Sequence, residues 1–329
     1  MSILIAPAHA CGLGIMAADL AAHCEPITHV VAVESMPNAP RVVWPTRVSV
    51  EVVQRGSQPK TVHGSTVVFI EASLDVDISG FERRVFVPMW ENINTGYEAK
   101  SATCIISVTK YGHEKLAANG ILSGYLPWPV ELKSLRSTKK VKTLLHVAGS
   151  FGHWYRKGTP EAVGMWNASG LADKGVRLVI RCWEPMPQEI KELIAGGSGG
   201  IEVRDGFVAG RDELFEDADA LLMPSRCEGH AVVALEAMAR GIPCFVTNAA
   251  PINEYETSHR FLLPIIGMAN LTGSPFDYAI CDTARSGELL RGMVLDSANW
   301  IAAASVRAYL TAERMSWGSL GEEWGKTVA

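Results

Sequence analysis

Along the chain, short apolar runs alternate with segments whose apolar residues recur every three or four positions, the pattern of a mainly parallel sheet covered by helices. "ILIAP" (3–7) predicts a first strand, "GLGIMAADLAAHCE" (12–25) a Gly-rich turn entering a helix, and "HVVAVES" (29–35) a second strand. "STVVFIEAS" (65–73), "RRVFVPMW" (83–90) and "ATCIISVT" (102–109) continue the strands, and "KYGHEKLAANG" (110–120) is a helix stopped by Gly120. The polar, basic "ELKSLRSTKK" (131–140) reads as a linker, after which the pattern restarts. Strands are expected at 141–150, 176–183, 201–208, 219–225 and 242–248. Helices are expected at 159–175, in "PQEIKELIAGG", in "RDELFEDA" and at 230–240, with Thr159 as N-cap and Pro160 at the first position of its helix. "NWIAAASVRAYLTAERM" (299–315) is helical, and "SWGSLGEEWGKTVA" adds an amphipathic segment. The expectation is an α/β chain of two domains, 1–135 and 136–310, with a helix over 311–329. Two such sheets leave a cleft, and ligands bind outside the carboxyl ends of the strands.

Composition narrows the function classes. At 329 residues with 48% hydrophobic content, two filled cores are possible. The net charge of −5 gives no global pull toward nucleic acid or anionic membrane. A small basic strip at "KSLRSTKKVK" (133–142) suits phosphates or a solvated linker equally. Seven scattered cysteines, with no C-x-x-C pair, fit buried thiols of a reducing compartment. No basic segment precedes the opening apolar run, and no stretch of about 18 residues lacks polar groups. A soluble cytoplasmic protein is expected, of a bacterium or of a virus in its host. "DVD" (75–77) and "DAD" (217–219) fall on no ligand-binding turn and read as chance, so neither a metal nor a cofactor is expected.

One stretch resists a purely structural reading. "MPSRCEGHAVVALEAMARGIPCFVTN" (223–248) reads as strand, turn, helix, strand, yet carries Glu228 at the mouth of its apolar helix and Glu236 inside it. Glutamate favours a first helical turn, and the spacing alone says little. A buried carboxylate without a partner costs several kcal/mol, so Glu236 needs one, and a ligand is a candidate. Were both on one helix, about 12 Å of axis would separate them, from a rise of ~1.5 Å per residue. Carboxylates accept several charge-strengthened hydrogen bonds from sugar and ribose hydroxyls, and N–H groups at the helix start suit a phosphate.

The block "LLMPSRCEGHAVVALEAMARGIPCFVTNAAPINEY" (221–255) resembles the signature of retaining, nucleotide-sugar-dependent glycosyltransferases of the GT-B fold, an E-x7-E followed by EAMA-x-G-x-P. Pro224, Ser225, Glu228, Gly229, Glu236, Ala237, Met238, Ala239, Gly241, Pro243 and Glu254 fall on it. The resemblance implies that Glu228 contacts hydroxyls of the transferred sugar and Glu236 the ribose. It places the turn with Asn248, Ala249, Ala250 and Glu254 by the sugar and diphosphate. In "HVAGSFGHWYRKGTPEAV" (146–163), Lys157 and Gly158 match the family's K-G, whose lysine opposes the departing diphosphate; Ser150 stands where the family has arginine, and Arg156 offers a second cation. His153 and His230 flank the expected site, and either can hydrogen-bond phosphate or sugar. Gly12 and Gly14, after the first strand, form a short turn that similar enzymes turn toward the diphosphate. The family's histidine after a middle strand of the first domain has no counterpart in "VFVPMWENIN" (85–94), where Trp90 and Glu91 are the acceptor-site candidates. Trp90 serves equally well as a core residue. "ERMSWGSLGEEWGK" (313–326) resembles the family's closing helix, which crosses back to the first domain.

The resemblance implies a two-domain GT-B transferase that moves a sugar from a nucleoside-diphosphate sugar to an acceptor hydroxyl with retention. The donor is a UDP-sugar in first place and a GDP-sugar in second. The acceptor is a soluble compound, a hydroxymethylated base in phage DNA included. A GT-B nucleotide-sugar epimerase and a non-catalytic nucleotide-sugar-binding subunit are the alternatives.

Overall fold

The computed structural model describes the chain apart from residues 1, 37, 61–63, 90–96, 137–139, 150–151, 209, 257, 271–276 and 297–299. It has two compact units, Met1–Pro129 with Met315–Ala329, and Val130–Arg314.

The first unit is built on seven parallel strands in the order β3-β2-β1-β4-β5-β6-β7. They are β1 (Ser2–Pro7), β2 (Ile27–Glu34), β3 (Ser49–Gln54), β4 (Thr66–Ile70), β5 (Arg83–Val87), β6 (Cys104–Ser107) and β7 (Gly124–Tyr125). Central β1 and β4 are buried along their whole length, which is why they read as unbroken apolar runs. β3, absent from the sequence reading, is the edge strand; "SVEVVQ" leaves most of its side chains in water. Helix α1 (Gly12–His23) follows β1, and α2 (Tyr97–Ser101) precedes β6. Helix α3 (Lys110–Ala118) is capped by Thr109, whose hydroxyl accepts from the Gly112 amide at 3.1 Å.

The second unit carries six parallel strands in the order β10-β9-β8-β11-β12-β13. These are β8 (Thr143–Gly149), β9 (Arg177–Cys182), β10 (Ile201–Asp205), β11 (Ala220–Met223), β12 (Cys244–Thr247) and β13 (Leu262–Leu263). An antiparallel ribbon of β14 (Ile265–Asn270) and β15 (Asp277–Cys281), unread in the sequence, stands beside them. The helices are α4 (Thr159–Ser169), α5 (Gln188–Ala195), α6 (Arg211–Leu214), α7 (Val232–Met238), α8 (Thr283–Leu295) and α9 (Trp300–Arg314). The chain winds outward from β8 through β9 to β10, then returns to β11 and winds the other way. The loops after β8 and β11 therefore flank a topological switch point, where open α/β sheets bind ligands.

The last helix, α10 (Trp317–Val328), belongs to the first unit. Its Trp324 is fully buried, donates Nε1–H to the Pro127 carbonyl at 2.8 Å and meets Trp128 edge-on with centroids 4.9 Å apart.

Three local expectations are corrected. Helix α4 starts after Gly158, which is its N-cap in the left-handed region, so Thr159 is the first helical residue and not the cap. It stops at Ser169, where left-handed Gly170 ends it short of the expected 175. The segment read as a linker is docked on the second unit. The Lys133 and Arg136 amides donate to the Ala239 and Arg240 carbonyls at 3.1 and 3.0 Å. The Arg136 side chain donates to the Phe215 and Glu216 carbonyls, and Lys133 Nζ lies 2.7 Å from Glu131.

Candidate functional site

The two loops at the second unit's switch point are locked together by backbone. Gly149 ends β8 with φ +81°, and residues 152–157 form turns that lead to Gly158, φ +72°. A Cβ at 158 would stand 1.9 Å from the carbonyl oxygen of Pro224, the residue after β11. Only glycine allows this approach. The Arg226 amide donates to the Arg156 carbonyl at 2.8 Å, closing the contact.

Glu228 sits in the turn after β11, four residues ahead of α7, so the 12 Å helical separation from Glu236 does not apply. It is 3% exposed and has three protein partners. Lys157 Nζ and Ser225 Oγ lie 2.7 and 2.8 Å from Oε1, and Arg156 Nη1 lies 3.0 Å from Oε2. Ser225 is itself held, its carbonyl accepting from the Thr247 hydroxyl on β12 at 2.7 Å. Burial pushes the Glu228 carboxyl upward; Lys157, Arg156 and the hydrogen bonds from Lys157 and Ser225 outweigh it and hold the group below its ordinary 4.5. Two cations are thus gathered on one carboxylate at the end of the sheet, side chains of the kind that can also hold an anion.

Glu236 is on α7, as expected, but the buried carboxylate that needed a partner has one in the protein. Arg211 of α6 grips it with a two-pronged fork, Nε at 2.7 Å from Oε1 and Nη2 on Oε2. Both carboxylates thus have cationic partners within the protein. Their chemistry is that of neutralised, oriented acceptors.

Two histidines shape the site from beneath. His146, on β8 and 1% exposed, donates Nδ1–H to the Leu222 carbonyl at 3.0 Å. Its Nε2 accepts from the Thr159 hydroxyl at 2.9 Å, tying β8, β11 and the start of α4. His230, also buried, has Nδ1 at 2.7 Å from the Tyr255 hydroxyl, with the rings edge to face. Its Nε2 has no hydrogen-bond partner among the described residues. Burial lowers both pKa values from 6.5, to about 4 for His146 and about 3 for His230. A histidine held neutral in the fold binds fewer protons than the unfolded chain, so its stabilisation is complete above pH 6.5 and is lost as pH falls toward its folded pKa. Between pH 6.5 and 5 each should cost about 2 kcal/mol. Urea unfolding at pH 7.5 and 5.0 checks this, and His146→Phe should lose its own share of the pH dependence.

The remaining candidates are placed as follows. Gly229 is buried beside Glu228. Asn248 and Ala250 are exposed beyond β12 and Ala249 is buried. The Asn248 amide donates to the Leu263 carbonyl at 3.0 Å and its side-chain oxygen accepts from Asn253 at 3.0 Å. Glu254 is half-buried in the same turn. His153 is exposed, its carbonyl accepting from the Lys157 amide at 2.8 Å. In the first unit Gly12 opens α1 with free space around it. Gly14 is needed for packing, since a Cβ there would meet the His9 carbonyl oxygen at 2.3 Å. Ser150, Trp90 and Glu91 lie outside the described residues. The acidic triplets have structural partners: Asp219 accepts from the Lys142 and Thr143 amides at 2.7 and 2.9 Å, and Asp75 pairs with Arg55 at 2.8 Å. Among the described residues no cluster of His, Cys, Asp and Glu could hold a metal, and no helix is long and apolar enough to cross a membrane.

Sequence reasoning missed Arg211, His146 and Tyr255. Arg211 lies in a polar stretch that reads as solvated surface; its one signal was the need of Glu236 for a cation.

Comparison with known proteins adds a family-model match over part of the chain and a fold. Residues 142–266 match the model of the family described as glycosyl transferases group 1. No curated protein matches the chain. Among solved structures, the glycosyltransferase WaaG, involved in lipopolysaccharide biosynthesis, aligns over 100% of both chains at 15% identity with a TM-score of 0.69. TarM of S. aureus, in complex with fondaparinux, alpha-GlcNAc-glycerol and UDP, aligns at 13% identity and TM-score 0.61 over 80% of this chain and 55% of its own. The pneumococcal O-GlcNAc transferase GtfA, in complex with UDP and GlcNAc, aligns at 15% and 0.60 over 80% and 56%. The chain thus spans little more than half of TarM and GtfA. At these identities the likeness is one of fold, two Rossmann-like units of the GT-B type.

Proposed function

We propose, from the premise that residues 142–266 are a group 1 glycosyltransferase domain within a GT-B fold, that this chain transfers a sugar from a nucleoside-diphosphate sugar to an acceptor hydroxyl with retention of configuration. The observation that carries the proposal is the Glu228 carboxylate between Lys157 and Arg156, at 2.7 and 3.0 Å, at the switch point of the second unit. Diphosphate oxygens would accept from the two cations, and Glu228 would accept from hydroxyls of the transferred sugar. Ribose would meet Glu236, and the turn at Asn248–Ala250 would border the sugar and diphosphate.

In this reading the bond from the anomeric carbon to the leaving phosphate oxygen breaks and the bond to the acceptor oxygen forms on the same face. The acceptor proton passes to the departing phosphate. Lys157 and Arg156 stabilise the charge that develops there, the term that typically dominates such transfers. A UDP-sugar is the first choice of donor and a GDP-sugar the second; TarM and GtfA were both solved with UDP. Of the basic strip that suggested a DNA acceptor, Lys133 and Arg136 are committed to Glu131 and to backbone carbonyls. The proposal therefore carries a hydroxyl acceptor without assigning it to DNA.

Chromatography of the nucleotide products tests the reading. Free nucleoside diphosphate released from a UDP- or GDP-sugar, its sugar passing to a supplied hydroxyl acceptor or slowly to water, is the expected result. An intact nucleotide carrying an altered sugar would make the chain an epimerase, and a bound, unchanged nucleotide sugar would make it a binding subunit.

A further inference from the structure

The fork of Arg211 on Glu236 is half of a reciprocal arrangement. Next to Arg211 on α6, Asp212 takes Nε of Arg240 at 3.1 Å and Nη2 of the same side chain. Arg240, two residues past the end of α7 and 3% exposed, donates its Nη1–H to the Glu236 carbonyl at 2.8 Å and lies 4.7 Å over the Phe215 ring. So α6 contributes a cation and then an anion, and α7 with the residue just past its cap answers with an anion and then a cation. The arrangement fixes Glu236 at both its backbone and its carboxylate.

We propose that Arg211 is a positioning residue for ribose recognition: it holds the Glu236 carboxylate so that its remaining lone pairs select a ribonucleotide over a 2′-deoxyribonucleotide. This rests on the reading of the second unit as a nucleotide-sugar site. A carboxylate has about four acceptor positions, of which the fork takes two, leaving one on each oxygen for hydroxyls. Ribose is neutral, so placing it against a carboxylate already neutralised by Arg211 strands no buried charge. The planar fork also fixes the plane of the carboxylate, which a lysine, a point charge on a flexible stem, does not do. Arg240 and Asp212 keep α6 in register for that grip.

Calorimetric titration of UDP, 2′-deoxy-UDP, GDP and 2′-deoxy-GDP into the full chain tests this, with Arg211→Ala and Arg211→Lys as variants. Wild type is expected to prefer the ribonucleotide at least tenfold. Both variants should fall to within threefold while their Kd for the 2′-deoxy nucleotide moves less than threefold. A purely structural role would weaken both nucleotides together and leave the ratio intact, which overturns the proposal; so would a wild type with no ribose preference. If neither UDP nor GDP binds wild type, the choice of a UDP- or GDP-sugar as donor fails, and the proposal with it.

Discussion

Glu228→Gln is expected to slow release of nucleoside diphosphate from the donor by at least a hundredfold while leaving the fold intact. The substitution keeps the shape of the side chain but removes the counter-charge that faces Lys157 at 2.7 Å and Arg156 at 3.0 Å. Breaking one partner out of a buried ion cluster costs ~3–5 kcal/mol at full burial, and less here because both cations are partly exposed. Separately from that stability cost, losing one preorganised electrostatic contact typically costs about 3 kcal/mol in the transition state, roughly a hundredfold in rate. The acid limb of stability should change as well. The Glu228 carboxyl is held below its ordinary 4.5, so its stabilisation is present above that pH and is lost as pH falls through the folded value. Acid unfolding of the variant below pH 4.5 should therefore be shallower than that of wild type. Wild-type turnover in the variant would remove Glu228 from the site.

Gly158→Ala carries the largest expected effect on stability. An alanine at φ +72° costs ~1–2 kcal/mol, and its methyl would fall 1.9 Å from the Pro224 carbonyl oxygen, forcing a backbone shift worth ~1–3 kcal/mol more. For a unit of this size the sum lowers the melting transition by roughly 10 °C, measurable by calorimetry. Lys157 precedes the substituted residue, so the shift also carries its ammonium away from Glu228, and turnover should fall even below the melting range. Gly12→Ala, with open space around it, is the control that should leave melting unchanged.

These two positions show what the sequence discloses and what it withholds. Strands such as β1, β4, β8 and β11 are covered on both faces and so appear as apolar runs; β3 leaves most of its side chains in water and β14 exposes alternate ones, so neither carries such a run. Lys157, Gly158, Glu228 and Glu236 are legible because their spacing is local to two loops and one helix. The reason for Gly158 is not local, since it lies in the approach of Pro224 from 66 residues away. Arg211 reaches Glu236 across 25 residues from a four-residue helix. His146 is a lone histidine in an apolar strand, whose bonds to Leu222 and Thr159 exist only once β8, β11 and α4 are assembled. A polar run read as a linker proved to be docked, because its anchors are backbone amides that composition does not reveal.

The central claim is that the Lys157–Arg156–Glu228 cluster receives the diphosphate of a nucleotide sugar. Titration of a panel of UDP-, GDP-, ADP- and dTDP-sugars into wild type and Lys157→Met tests it most directly, with melting temperature followed in parallel because a bound donor stabilises the fold by mass action. At least one nucleotide sugar is expected to bind wild type and raise its melting temperature, with affinity reduced tenfold or more in Lys157→Met. Equal binding by both proteins, or no binding by any member of the panel at millimolar concentration, would contradict it.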